Sequence, residues 1–195
     1  MAKKPMEKIQ ELGRNLDKYA GQDVRKKVLE GDAKLASISD SQQIAMWVKG
    51  AMQRLDKLVD EKTRSRIMEQ CGRRCAVAGE TVEIVVAKRK KYRNLDQFLE
   101  AEKRKLLPGM RLEREGNVLY QYYMPHSFSP RMRCFCSLLE GLPADENISP
   151  TYCQCSKGFA TRMWESILGK PVRVDVVETA VSGAKECKFK IYLQK

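Results

Sequence analysis

The chain has 195 residues, 43% of them apolar, and carries 37 Lys and Arg against 25 Asp and Glu, a net charge of +12. This composition excludes a disordered chain and a miniprotein that depends on disulfides, and no apolar run approaches the length of a membrane span. The charged opening MAKKPMEKIQELGRNL lacks the apolar core of a secretory signal, so a cytoplasmic protein is expected, in which seven cysteines would not serve as disulfides.

The first eighty residues read as helix. From Glu7 to Tyr19, apolar Ile9, Leu12, Leu16 and Tyr19 recur at three- and four-residue spacing, and Gly21 ends the run. A short helix follows from Asp23 to Leu29, ended by Gly31. Asp40 or Ser41 can cap a longer helix that sets Ile44, Trp47, Val48, Met52, Leu55 and Leu58 on one face. A further helix from Glu61 to about Arg74 delivers Cys71 and Cys75. The segment Thr81–Ala87 reads as a strand or an apolar helix end. Asn94 opens a helix toward Leu106, and Leu107-Pro-Gly109 stops it. Arg111–Arg114 and Asn117–Met124 are strand candidates joined by Glu115-Gly116, the second favoured by Tyr120, Tyr122 and Tyr123.

After a loop from Leu142 to Pro150, Ser156 is expected to cap a helix carrying Phe159, Met163, Trp164 and Ile167, closed by Leu168-Gly-Lys-Pro171. Val172, Val174 and Val176 alternate with charged residues, and Cys187, Phe189, Ile191 and Leu193 do the same beyond a turn at Ser182-Gly183. The order predicts an α+β fold, with a helical region over 1–80 and an α+β region over 81–195 in one compact unit. The helical half packs on a C-terminal antiparallel sheet with a cysteine-lined metal site.

The cysteines fall as Cys71-x3-Cys75, Cys134-x-Cys136, Cys153-x-Cys155 and a single Cys187. Residues four apart share a helix face, and residues two apart share a side of an extended segment. Each pair can therefore give two thiolates to one centre, either zinc or, as the alternative, an iron–sulfur cluster. Arg73, Arg74, Arg131, Arg133 and Lys157 flank these thiols, and nearby cations are expected to favour the thiolate. His126, the only histidine, reads more readily as a loop residue than as a ligand. No Ser-His-Asp order and no glycine-rich phosphate loop is evident.

The run Tyr152-Cys-x-Cys-Ser-x-Gly-Phe159, a helix, Leu168-Gly169, Val172-x-Val-x-Val176, Glu178, Gly183 and Cys187-x-Phe-x-Ile191 resembles the ending of the 4-vinyl-reductase-type domain. The resemblance covers about the last 45 residues. It implies an antiparallel sheet against helices and a zinc site in which Cys155, Glu178 and Cys187 are ligands. Val181 stands where that family's sensor members have a further cysteine, and Cys153, Cys136 or Cys71 are the thiols that could replace it. The Cys71 and Cys134 pairs lie outside the resemblance. They look like those of a cysteine-rich prokaryotic branch, similar also to aminothiazoline-carboxylate hydrolase-like proteins.

The first functional expectation is a zinc-stabilised domain that binds a small, anionic molecule, compatible with a homodimer. The second is an enzyme, with Cys134 or Cys71 as nucleophile or a zinc-bound water as hydrolytic agent. The third is a basic module associated with nucleic acid, motivated by the net charge and the run Lys88–Arg93, and it is not favoured because that charge is spread out.

Overall fold

The computed structural model describes residues 5–193. Seven α-helices and four strands follow in the order α1 (Pro5–Ala20), α2 (Gln22–Val28), α3 (Ser41–Leu58), α4 (Glu61–Ala78), α5 (Thr81–Arg89), α6 (Leu95–Lys103), β1 (Met110–Glu115), β2 (Val118–Tyr123), α7 (Gln154–Leu168), β3 (Arg173–Glu178) and β4 (Cys187–Tyr192). The fold is α+β with a helical N-terminal half, as expected. Capping explains several of the boundaries. Asp40 accepts a hydrogen bond from the Gln42 amide, Asp60 from that of Thr63 and Asn94 from that of Gln97, each satisfying a donor that the first helical turn leaves open.

One open alternative is decided and two element boundaries differ from expectation. Thr81–Ala87, which read as strand or helix, is helical within α5. Its Val82 is buried, and Val85 packs beside the sheet-side core. The helix ending near Arg74 runs on to Ala78, so Cys75 lies inside it. Ser156 does not cap α7. The chain enters through a 3₁₀ turn, Pro150–Cys153, whose start is capped by Ser149 accepting from the Thr151 amide, and α7 is already under way at Gln154. Proline at the head of the turn supplies a preset φ and lacks the amide that would otherwise go unpaired.

The sheet is antiparallel in the order β1-β2-β4-β3. Gly116, with φ at 56°, supports the tight β1–β2 turn. One face buries Leu119, Val174, Phe189 and Ile191 against Trp164, Met163 and Ile167 of α7, with Phe98 and Leu99 of α6. The Trp164 Nε1–H donates to Gln121 Oε1 at 2.8 Å, and Gln121 bonds in turn to the Tyr123 hydroxyl. This polar side chain, buried in the middle of the sheet, therefore has partners.

A second core gathers Ile9, Leu12, Leu16, Val48, Met52, Leu55 and Ile67 from α1, α3 and α4. It also draws Leu138, Leu139, Leu142, Ile148, Tyr152 and Val181 from far along the chain. Helices α4 and α7 form the seam between the two cores. They touch through Gly72 and Gly158. A Cβ on Gly72 would lie well inside contact distance of the Cys155 carbonyl oxygen, and one on Gly158 would strike the backbone of Glu69. The ion pairs Lys157–Glu69 (2.5 Å) and Arg73–Glu165 (2.7 Å) flank the crossing.

This crossing predicts opposite outcomes for helical glycines at the contact and away from it. Gly72→Ala or Gly158→Ala must push two backbones apart and should destabilise by about 3 kcal/mol, the upper end of ordinary overpacking. Gly50→Ala meets only the end of the Arg54 side chain and should be neutral or stabilising by about 0.5–1 kcal/mol. Urea unfolding of the three variants beside the parent checks both.

Candidate metal centre

Close approach of α4 and α7 decides where the thiols fall. Cys71 and Cys75, one turn apart on α4, lie on either side of Gly72, which rests on the Cys155 backbone. Cys155 hydrogen-bonds to Cys75 and feels Cys136 and Cys71 as neighbouring charges. Cys71, Cys75, Cys136 and Cys155 line one cavity of about 40 Å³, together with Tyr152, Met52 and Lys8. Cys71 also accepts a hydrogen bond from Asn15 Nδ2 at 3.5 Å.

The other thiols form a second group. Cys134 interacts with Cys136, Cys153 and Cys187. Cys153 interacts with Cys187 and is hydrogen-bonded to Thr179 and Ser182. The Ala180 amide donates to Cys187 Sγ at 3.4 Å, and the Cys136 amide donates to Cys134 Sγ at 3.4 Å.

The expected same-side placement of Cys153 and Cys155 does not hold. That placement assumed extended backbone, whereas Cys153 closes a 3₁₀ turn and Cys155 lies in the first turn of α7. At about 100° per residue, positions two apart on a helix point about 200° apart. The pair is therefore divided between the two groups.

The loop that carries Cys134 and Cys136 is fastened at three points. The Arg133 guanidinium donates to the carbonyl oxygens of Pro143, Ala144, Glu146 and Ala180 and to Asn147 Oδ1. Gly141 rests on the backbone of Ser41 and Gln42, where a Cβ would collide. Lys8 Nζ donates to Ser137 Oγ at 2.9 Å and to Cys136 Sγ at 3.5 Å. Lys8 and Arg133 are the positioning residues that sequence reasoning missed. In the sequence Arg133 is only a charge beside a cysteine, because its five acceptors lie between 10 and 47 residues away.

The electrostatic expectation for the thiols is reversed. Arg73 is committed to Glu165, Lys157 to Glu69 and Arg133 to carbonyl oxygens, so these cations do not activate the thiols. Burial instead pushes Cys71 and Cys153 from the ordinary 9.0 up to about 12. It also raises Cys134, where Cys136 adds to the effect, and Cys187. Cys155 is held well above the usual range first by its hydrogen bond to Cys75 and then by burial. With no cation in place, these groups are neutral thiols at neutral pH.

Cys155 thus stands with Cys71, Cys75 and Cys136, whereas Cys187 stands with Cys134 and Cys153. Glu178 is exposed, pairs in register with Lys188 and acts on Cys187 only as a neighbouring charge. Val181 is buried in the helical core, and His126 is exposed in a short 3₁₀ turn. Among the described residues, no three His, Cys, Asp or Glu side chains already stand at the spacing of ligands around an ion.

The outer face of the sheet is a second candidate surface. Arg111 lies over the Tyr122 ring at 3.9 Å, Lys188 over Tyr120 at 4.8 Å, and Arg173 and Lys190 over Tyr192 at 4.6 and 5.0 Å. Aromatic rings interleaved with cations can stack nucleobases. Here Glu186 and Glu113 pair with Arg111, and Asp175 pairs with Arg173, which removes the electropositive field that phosphate binding needs. Within the basic run, Lys88 pairs with Glu102 and Arg89 caps the Tyr92 carbonyl.

The profile of DUF6144, a family of unknown function, matches residues 3–195, and the chain belongs to that family. No curated protein matches it. No described helix is long and apolar enough to cross a membrane.

The raised thiols set the pH dependence of the metal-free protein. The unfolded chain releases these protons near pH 9, while the folded chain keeps those of Cys71 and Cys153 to about 12. Stability is therefore fully present below about pH 9 and is lost as pH rises from there toward 12. The urea midpoint of chelator-treated, reduced protein should fall between about pH 8 and about pH 10.5, and a Cys71→Ala, Cys153→Ala variant should show a smaller fall.

Proposed function

We propose that the protein is a zinc-binding protein whose functional centre is its set of converging thiols. The observation that carries this reading is that cysteines from three separate segments (α4, the loop before Leu138 and the start of α7) line one cavity beside Tyr152. Zinc is met by thiolates converging from separate elements. Its charge would reverse the penalty that now keeps these thiols protonated, since a coordinating thiol is deprotonated outright.

The size of the cavity argues for an ion. At about 40 Å³ it has room for a water or two, far below the roughly 300–1,000 Å³ of pockets that enclose organic ligands. That volume also favours a single ion over a cluster that brings its own sulfides. Larger hollows of about 420 and 480 Å³ lie at the surface beside Asp96 and Glu100, where Asp96 is already paired with Arg114 and Glu100 with Lys103. A small-molecule role therefore finds no support near the thiols.

Thiolate catalysis is the weaker reading, because a nucleophilic cysteine needs a lowered pKa and access, whereas burial raises the two candidate nucleophiles, Cys71 and Cys134. The role that fits is structural. An ion would tie α4 and the start of α7 to the Arg133–Leu139 loop. The resemblance to the 4-vinyl-reductase-type domain belongs to this proposal, with Cys155 entering as a ligand.

Elemental analysis of protein purified without oxygen or added metal tests the reading. Zinc at one or more per chain, without colour, is expected. A chelator should lower the melting temperature, and Cys155→Ser should reduce the zinc retained. Freshly purified protein with no metal and seven titratable thiols would overturn the proposal.

A further inference from the structure

Arg73, Lys157 and Arg133 are drawn away from the sulfurs, but Lys8 is not. Its Nζ donates to Cys136 Sγ at 3.5 Å and to Ser137 Oγ at 2.9 Å. The Tyr152 hydroxyl is hydrogen-bonded to the same sulfur, and both donors line the cavity that Cys136 faces. Cys136 is half-buried, whereas Cys71 is buried and accepts from the neutral Asn15 amide instead. Cys155, also half-buried, lines the same cavity from the first turn of α7.

We propose that Cys136 is an oxidant-reactive thiol that reduces hydrogen peroxide, and that Cys155, in the same cavity, resolves the product as a disulfide. This goes beyond the zinc reading and does not depend on it, because the donors and both thiols belong to the chain without an ion. The size of the cavity selects the oxidant. At about 40 Å³ it has room for a water or two, which is the bulk of two joined oxygens and too little for a hydroperoxide with a large organic group.

The chemistry balances with these groups alone. The Cys136 sulfur attacks one peroxide oxygen and the O–O bond breaks. The second oxygen leaves as water with the proton of the thiol, and Cys136 is left as a sulfenic acid. Sulfur has given up an electron pair and peroxide has gained it. The Cys155 sulfur then displaces the sulfenic hydroxyl, which leaves as a second water with the Cys155 proton, and the S–S bond forms. The Lys8 ammonium and the Tyr152 hydroxyl stand where negative charge gathers in the first step, and donors fixed beside a reacting atom lower the barrier. The disulfide would tie the loop bearing Cys136 to α7, the same two parts that an ion would tie.

Hydrogen peroxide added to reduced, metal-free full-length protein tests the proposal, read by free-thiol titration, dimedone trapping and non-reducing peptide mass mapping. Two thiols should be lost per peroxide, with one linked peptide pair carrying Cys136 and Cys155. In Cys155→Ser, dimedone should label Cys136. Lys8→Met should slow thiol loss by about tenfold or more, as expected for losing one charge-stabilising donor, and Lys8→Arg should recover part of the rate. Thiol loss no faster than in the urea-unfolded chain would overturn the proposal. Dimedone on another cysteine would overturn the role of Cys136, and a link to Cys71 or Cys75 would overturn that of Cys155. Cumene hydroperoxide reacting as fast as hydrogen peroxide would overturn the cavity as the place of attack. The unaltered chain decides reactivity and linkage even if a variant fails to fold. Zinc content is decided separately by elemental analysis, so either reading can fail without the other.

Discussion

The arrangement of this molecule depends on one close contact, the backbone of α4 lying against the backbone of α7 at Gly72 and Gly158. Any side chain at either position would hold the helices apart. Because they are in contact, the α4 turn bearing Cys71 and Cys75 lies beside Cys155. The same contact brings Arg73 to Glu165 and Lys157 to Glu69, two ion pairs that bracket the crossing. Partly exposed pairs of this kind are worth little individually. Their larger effect here is to keep two cations away from the thiols.

On either side of the seam stand two apolar cores of different make. The helical core is completed by residues from beyond Leu138, held in place by Arg133 and by the fit of Gly141 against α3. The sheet-side core closes over α7 through Trp164 and Gln121. The thiols lie where these two bodies and the fastened loop meet. That location explains the burial of Cys71 and Cys153 and their reluctance to ionise. A cation placed there would act as a cross-link between parts that are otherwise joined mainly by packing.

Net charge proves a poor guide to the surfaces of this chain. The +12 excess suggests a polyanion, yet the sheet face that interleaves tyrosines with lysines and arginines is threaded with Glu113, Asp175 and Glu186. A cation over an aromatic ring, with a carboxylate on its other side, is satisfied locally and contributes little long-range field.

The sequence by itself determined the elements. Apolar spacing of three and four marks α1, α3 and α7, alternation marks β3 and β4, and Asp40 and Asn94 announce the helices they cap. These are local signals, set by the 3.6- and 2-residue periods of the backbone. The sequence also contained the three cysteine pairs and the single Cys187. It did not contain their grouping. The division of Cys153 from Cys155 needed the backbone to be helical rather than extended at that point. The union of Cys155 with Cys71 and Cys75 needed α4 to meet α7. The fate of Arg73 lay 92 residues away, at Glu165. Only the tertiary structure decided these things, because burial and charge pairing depend on which surfaces meet, and the meeting of distant segments leaves no period in the sequence between them.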